Sequence, residues 1–109
     1  MFFKKKIKCA INSNENLGCF ATNRIVIDGK KIGYMYREEP DTTFPDSGWR
    51  FFAGDETDEY VNNPDNVKIY SLNTICNYDE SVKPLLDSPY GVAYLKVNGV
   101  FVKEKLYPH

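Results

Sequence analysis

The chain has 109 residues, a formal net charge of −1, 42% hydrophobic residues and 15% aromatic residues. That length holds one domain and leaves no room for two independent cores, and the apolar content excludes a disordered chain. The near-neutral charge argues against a general nucleic-acid or anionic-membrane binder, since both need a basic excess.

Residues 1–17 form a basic segment carrying Lys4, Lys5, Lys6 and Lys8. Phe3, Ile7, Cys9 and Ile11 share one parity, which predicts an edge strand packed on a single domain spanning 18–109. The polar run Asn12 to Asn16 reads as a loop and ends any signal-like apolar stretch. No segment approaches the ~20 apolar residues that span a bilayer, so a soluble, cytoplasmic protein is expected. Three cysteines, Cys9, Cys19 and Cys76, show no Cys-x-x-Cys spacing. Reduced thiols are the simplest reading, with a disulfide between two of them left open.

Gly18 to Ala21 reads as a short buried strand, and Ile25-Val26-Ile27 leads into Asp28-Gly29, a hairpin-type turn signal. Alternation over Lys31 to Glu38 predicts a strand with Ile32, Tyr34 and Tyr36 on one face and Met35 and Arg37 on the other. Pro40 to Gly48 has turn chemistry. A second strand over Trp49 to Ala53 follows, with Trp49, Phe51 and Ala53 facing one way. Matching the aromatic sets predicts antiparallel pairing with Tyr36 opposite Phe51 and Arg37 beside Arg50.

Asp55 to Asn63 reads as a short helix capped by Asp55 or Thr57 and stopped by Asn62-Asn63-Pro64. Val67 to Tyr70 is a strand, Ser71 caps a turn through Cys76, and Asp79 caps another limited by Pro84. Asn98-Gly99, between Gly91–Val97 and Val100–Lys105, is the strongest hairpin signal. The class expected is α+β, with a mainly antiparallel sheet and two or three short helices.

No reaction signature is present. The one histidine, His109, is the last residue, where an imidazole lacks the fixed geometry of a general base or metal ligand. No glycine-rich phosphate loop occurs. A non-enzymatic domain with no catalytic residue, cofactor or metal is therefore expected. Charge is uneven: from Glu38 to Glu59 many acids stand against Arg50 alone. The candidate partner-binding surface comprises Asp46, Asp55, Glu56, Asp58 and Glu59, with Trp49 and Arg50 as its anchor. Core packing is the competing reading for Trp49, and salt bridges to Glu38, Asp46 or Asp55 for Arg37 and Arg50. A different class of function, a small-molecule or anion-binding module, would use Arg37 and Arg50 as a pair. A carboxylate enzyme, third in order, needs two acids facing across a cleft.

One ordered series of residues is familiar. It runs through Gly33-Tyr34-Met35-Tyr36-Arg37-Glu38-Glu39-Pro40 and Asp46-Ser47-Gly48-Trp49-Arg50-Phe51-Phe52-Ala53-Gly54-Asp55-Glu56. It continues with Asp58-Glu59-Tyr60, Ile69-Tyr70-Ser71-Leu72-Asn73-Thr74-Ile75, Asn77-Tyr78-Asp79 and Pro84-Leu85-Leu86-Asp87-Ser88-Pro89. The series resembles the immunity protein 33 family over about Gly18 to Val97. The resemblance implies a small bacterial cytosolic protein that binds and neutralises a protein toxin in a stoichiometric complex; the near-neutral charge leads us to expect no nucleic acid or membrane partner.

Overall fold

The computed structural model describes residues 17–105. The edge strand expected in the basic N-terminal segment lies outside the described residues. These residues build a six-stranded sheet in the order β4-β1-β3-β2-β5-β6. The strands are β1 (Gly18–Thr22), β2 (Tyr34–Arg37), β3 (Asp46–Phe52), β4 (Val67–Ser71), β5 (Val92–Val97) and β6 (Val100–Lys105). Neighbouring strands are antiparallel except β1 and β3, which run parallel. Three short helices accompany them, α1 (Asn23–Val26), α2 (Asp58–Val61) and α3 (Leu72–Tyr78), with 3-10 turns at Pro64–Asn66 and Glu80–Leu85. This is the α+β architecture expected from the pattern of short strands and caps. Among the described residues, no helix is long and apolar enough to cross a membrane.

Short polar side chains start the helical turns. Thr57 Oγ1 accepts from Tyr60 N, Ser71 Oγ from Thr74 N and Asp79 Oδ1 from Ser81 N, each at 3.1 Å. Each bond satisfies an N–H that has no partner within its own helix. The helix expected over 55–63 is shorter, because Glu56 turns its carboxylate back to the amides of Ala53 and Gly54 and stays ahead of the Thr57 cap. Asn98 (φ 52°) and Gly99 (φ 82°) make the positive-φ turn between β5 and β6, as an Asn-Gly pair favours. Asp28-Gly29 makes no hairpin. Ile25 and Val26 sit in α1, where Asn23 O accepts from Ile27 N and Asp28 N, and burial of Ile25 in the core overrides the strand propensity of a short β-branched run.

One face of the sheet meets the helices. Cys19, Ala21, Met35, Trp49, Phe51, Val92 and Tyr94 pack with Ile25 of α1, with Leu72, Ile75 and Cys76 of α3, and with Val82 and Leu86. Asp79 ties this layer to the chain before β2, accepting from Ile32 N at 2.9 Å. Cys19 is a free, buried thiol. Cys76 is disulfide-bonded, so the reading of three reduced thiols does not hold.

The register between β2 and β3 differs by one residue from the expected one. Tyr36 lies opposite Arg50, Met35 opposite Phe51 and Arg37 opposite Trp49. Burial decided this, not the matching of aromatic with aromatic. Met35 has no group that needs water and turns inward between Phe51 and Tyr94, while Tyr34 and Tyr36 keep their phenols on the other face. A one-residue slip would exchange every side chain between the two faces. Gly48 secures the alignment: its φ is +90°, and a Cβ there would sit 2.2 Å from Glu38 O. The close approach allows Glu38 N to donate to Gly48 O at 2.9 Å.

Candidate functional site

Three of the residues expected to touch a partner are interior. Trp49 is fully buried, and its indole N–H donates to Leu86 O at 3.1 Å. The expectation that it anchors a partner is corrected: it is a core residue whose one polar atom is already satisfied. Arg50 is also buried. Its Nη1 and Nη2 donate to the two carboxylate oxygens of Asp46 at 2.9 and 2.8 Å, and its Nε donates to Glu38 at 2.7 Å. The guanidinium stacks over Phe20, with 4.7 Å from Cζ to the ring centroid. Asp46 further accepts from Asp41 N and Gly48 N. Burial is the largest influence on the Asp46 carboxyl and raises its pKa, but these hydrogen bonds together outweigh it and hold the group below the usual carboxylate range. Asp46 and Arg50 are therefore corrected from contact residues to a fixed internal pair.

The paired-arginine site does not assemble. Adjacent positions in β2 and β3 point to opposite faces, so with Tyr36 opposite Arg50, Arg37 projects away from it. Arg37 donates to the carbonyls of Ser47 and Ser88 at 2.8 and 2.7 Å and lies against the rings of Tyr90 and Trp49, 4.6 and 5.7 Å from their centroids. Its work is to tie the 86–90 connection to the sheet.

The four helix-end acids divide into two kinds. Asp55 is bridged by Arg24, whose hydrogen bonds lower its pKa, and Glu56 accepts from Thr22 Oγ1, Ala53 N and Gly54 N. Asp58 and Glu59 occupy the first turn of α2 and are exposed. Among the described residues, no group of His, Cys, Asp and Glu is arranged to hold a metal ion.

The opposite face of the sheet carries Tyr34, Tyr36 and Phe52, for which the sequence favours core packing over an aromatic ligand platform. One ladder crosses it through Ile69, Phe20, Arg50, Tyr36, Ala93 and Glu104, and a second through Phe52, Tyr34, Leu95 and Val102. Tyr34, Tyr36 and Phe52 form a ring cluster with centroids 5.8–5.9 Å apart. Leu95, Val102 and Ile69 remain 37%, 46% and 52% exposed. Burial raises the pKa of both phenols, followed by the negative charge of Glu104 for Tyr34 and of Glu38 for Tyr36. By contrast Lys68 pairs with Ala21, Lys103 with Tyr94 and Lys96 with Phe101, all on the helix-covered face. Among the described residues this second face therefore carries apolar surface and carboxylates, and the one arginine placed on it is neutralised by Asp46 and Glu38. At its border Tyr34, Phe52, Gly54, Glu56, Val61 and Leu95 line a cleft of about 180 Å³. The sequence signal for this face was the alternation of apolar residues through β5 and β6. Only the β2–β3 register shows which aromatics join it.

Fold and site together define a small α+β domain whose sheet is covered by helices on one face and, among the described residues, exposes apolar side chains on the other. A family model described as the immunity protein Imm33 domain matches residues 19–104. The chain belongs to this family, as the resemblance implied. No curated protein and no solved structure matches the chain significantly. Membership implies a toxin-immunity role with a protein toxin as the general kind of partner, and such families are generally non-enzymatic.

Proposed function

We propose that this protein is a cytoplasmic bacterial immunity protein that binds its cognate toxin and neutralises it without catalysis. The observation that carries the reading is the family match, which covers residues 19–104 and so reaches all six described strands. The contact surface is acidic and aromatic. Asp58 and Glu59 supply charge that no described basic side chain bridges, Asp55 and Glu56 flank them, and the Tyr34, Tyr36 and Phe52 cluster takes the anchoring place first assigned to Trp49. Exposed apolar patches of this kind mark interaction sites. Acids around such a patch steer a basic partner and raise the association rate, while buried aromatic contacts slow dissociation.

Co-expression with the toxin tests the reading. The wild-type chain should restore growth, and the purified pair should form a one-to-one complex. Changing Asp58 and Glu59 to lysine should slow association and flatten its dependence on salt, since among the described residues neither side chain forms an ion pair. A chain that neither protects nor binds would sink the proposal. Unchanged association and salt dependence in the variant would remove α2 from the contact.

A further inference from the structure

We propose that the cleft bordered by Tyr34, Phe52, Val61 and Leu95 receives one lysine or arginine side chain of the protein partner; this rests on the immunity reading and names the chemistry of the contact. The walls are apolar or aromatic, and Glu56 closes the lining. A volume of about 180 Å³ falls below the roughly 300–1,000 Å³ of small-molecule sites and suits a single long side chain.

Charge picks the occupant. Glu56 accepts three hydrogen bonds, from Thr22 Oγ1 and Ala53 N on Oε2 and from Gly54 N on Oε1. A carboxylate offers about four acceptor positions, so Oε1 keeps one. Every one of those three donors is neutral, and no described lysine or arginine forms an ion pair with Glu56. The charge is thus oriented by the protein but not compensated. Tyr34 and Phe52 stand beside it with centroids 5.8 Å apart, offering ring faces that attract a cation within about 6 Å. Leu95 and Val61 give the aliphatic stem of lysine or arginine a surface to lie on while its head reaches the carboxylate. Glu104, whose charge is felt at Tyr34, and the exposed Asp58 and Glu59 add to the same field. A carboxylate or phosphate would be repelled here, and a purely apolar side chain would leave Glu56 uncompensated.

The probes are two short peptides, acetyl-Gly-Ser-Arg-Gly-Ser-amide and its citrulline counterpart, which keeps the shape of arginine without the charge. Each is titrated into the full-length protein at low ionic strength while backbone amide shifts are followed by NMR. The arginine peptide should move the amides of Phe52, Gly54, Val61 and Leu95 with saturation in the millimolar range, and the citrulline peptide should not. Leu95→Lys, which places a cation beside Glu56 from within the chain, should weaken the arginine peptide roughly tenfold or more, whereas Leu95→Met should not. Tyr34→Leu provides a second route, removing a ring face while keeping apolar volume. Equal shifts from both peptides, or shifts centred on Asp58 and Glu59 away from the cleft, would overturn the proposal. The toxin separates this failure from that of the broader reading. Equal affinity for wild type and Leu95→Lys rejects the cleft and leaves the immunity role standing. A wild type that neither binds nor protects rejects the role itself, with the peptides then deciding the cleft's chemistry.

Discussion

Replacing Asp46 by Asn tests the internal pair that displaced two of the expected contact residues. The substitution keeps shape, so no cavity opens and the change is electrostatic. Arg50 loses a bidentate carboxylate at 2.8 and 2.9 Å, although its Nε retains Glu38 at 2.7 Å. The new amide group must also face an N–H, because both carboxylate oxygens accept from the backbone, at Asp41 and Gly48. Breaking one partner out of a buried pair costs about 3–5 kcal/mol. The surviving Glu38 bridge places the loss near the lower end, at roughly 3 kcal/mol, or on the order of 12 °C in Tm for a domain of this size. Urea unfolding followed by tryptophan fluorescence reads it directly, since Trp49 is the sole tryptophan and is buried. The midpoint should fall by roughly 2 M with the slope unchanged. Acid provides a second reading. The folded pKa of Asp46 lies below its unfolded value, so its contribution is present above about pH 4 and is lost as pH falls through the depressed folded value. The variant's stability should therefore decline less steeply below pH 4. A loss under about 1 kcal/mol together with an unchanged acid limb would refute the claim that the pair is held away from water.

Trp49→Phe should cost about 2 kcal/mol by urea unfolding, from lost packing and the lost bond to Leu86 O, yet leave toxin affinity of the folded protein unchanged, because the indole is interior. Gly48→Ala should cost roughly 3 kcal/mol in the same assay or abolish soluble expression, since a Cβ there meets Glu38 O at 2.2 Å and the φ is +90°. Asp79→Ala should lower stability by about 2 kcal/mol, because its carboxylate serves Ile32 N, Ser81 N and Ser81 Oγ. Burial is the largest influence on its pKa and raises it, but the hydrogen bonds prevail and the value is lowered. Its contribution should consequently vanish on acidification through that lowered value, as circular dichroism against pH would show.

Local chemistry was legible wherever a residue acts on its own neighbours. The caps at Thr57, Ser71 and Asp79, the Asn98-Gly99 turn and the strand segments around Tyr34, Trp49 and Val67 all lie within a residue or a few of where pattern reasoning places them. Two local signals were outvoted. Ile25 is fully buried from a helical turn in place of the expected strand, and Glu56 found backbone donors before its helix began. The candidate site was much less legible. Asp46, Trp49 and Arg50 carry the residue types of an interface anchor, but type does not say which face of a strand a residue occupies once its partner's register is free to shift.

By itself the sequence determined an α+β fold of short strands and capped turns, and it carried the ordered residues by which its family is recognised. These properties depend on periodicity, on turn and cap residues and on residue identity, all of which are written along the chain. Only the tertiary structure decided which side chains the described residues leave on the outer face of the sheet. The sheet order brings β2 between β3 and β5, and the one-residue difference in register turns Met35 inward and Tyr34 and Tyr36 outward. Trp49 and Arg50 are thereby enclosed, and Leu95, far along the chain from Phe52 and Glu56, meets them at one cleft. Strand register is a long-range choice made by burying the most apolar surface at once, and no stretch of neighbouring residues contains that sum.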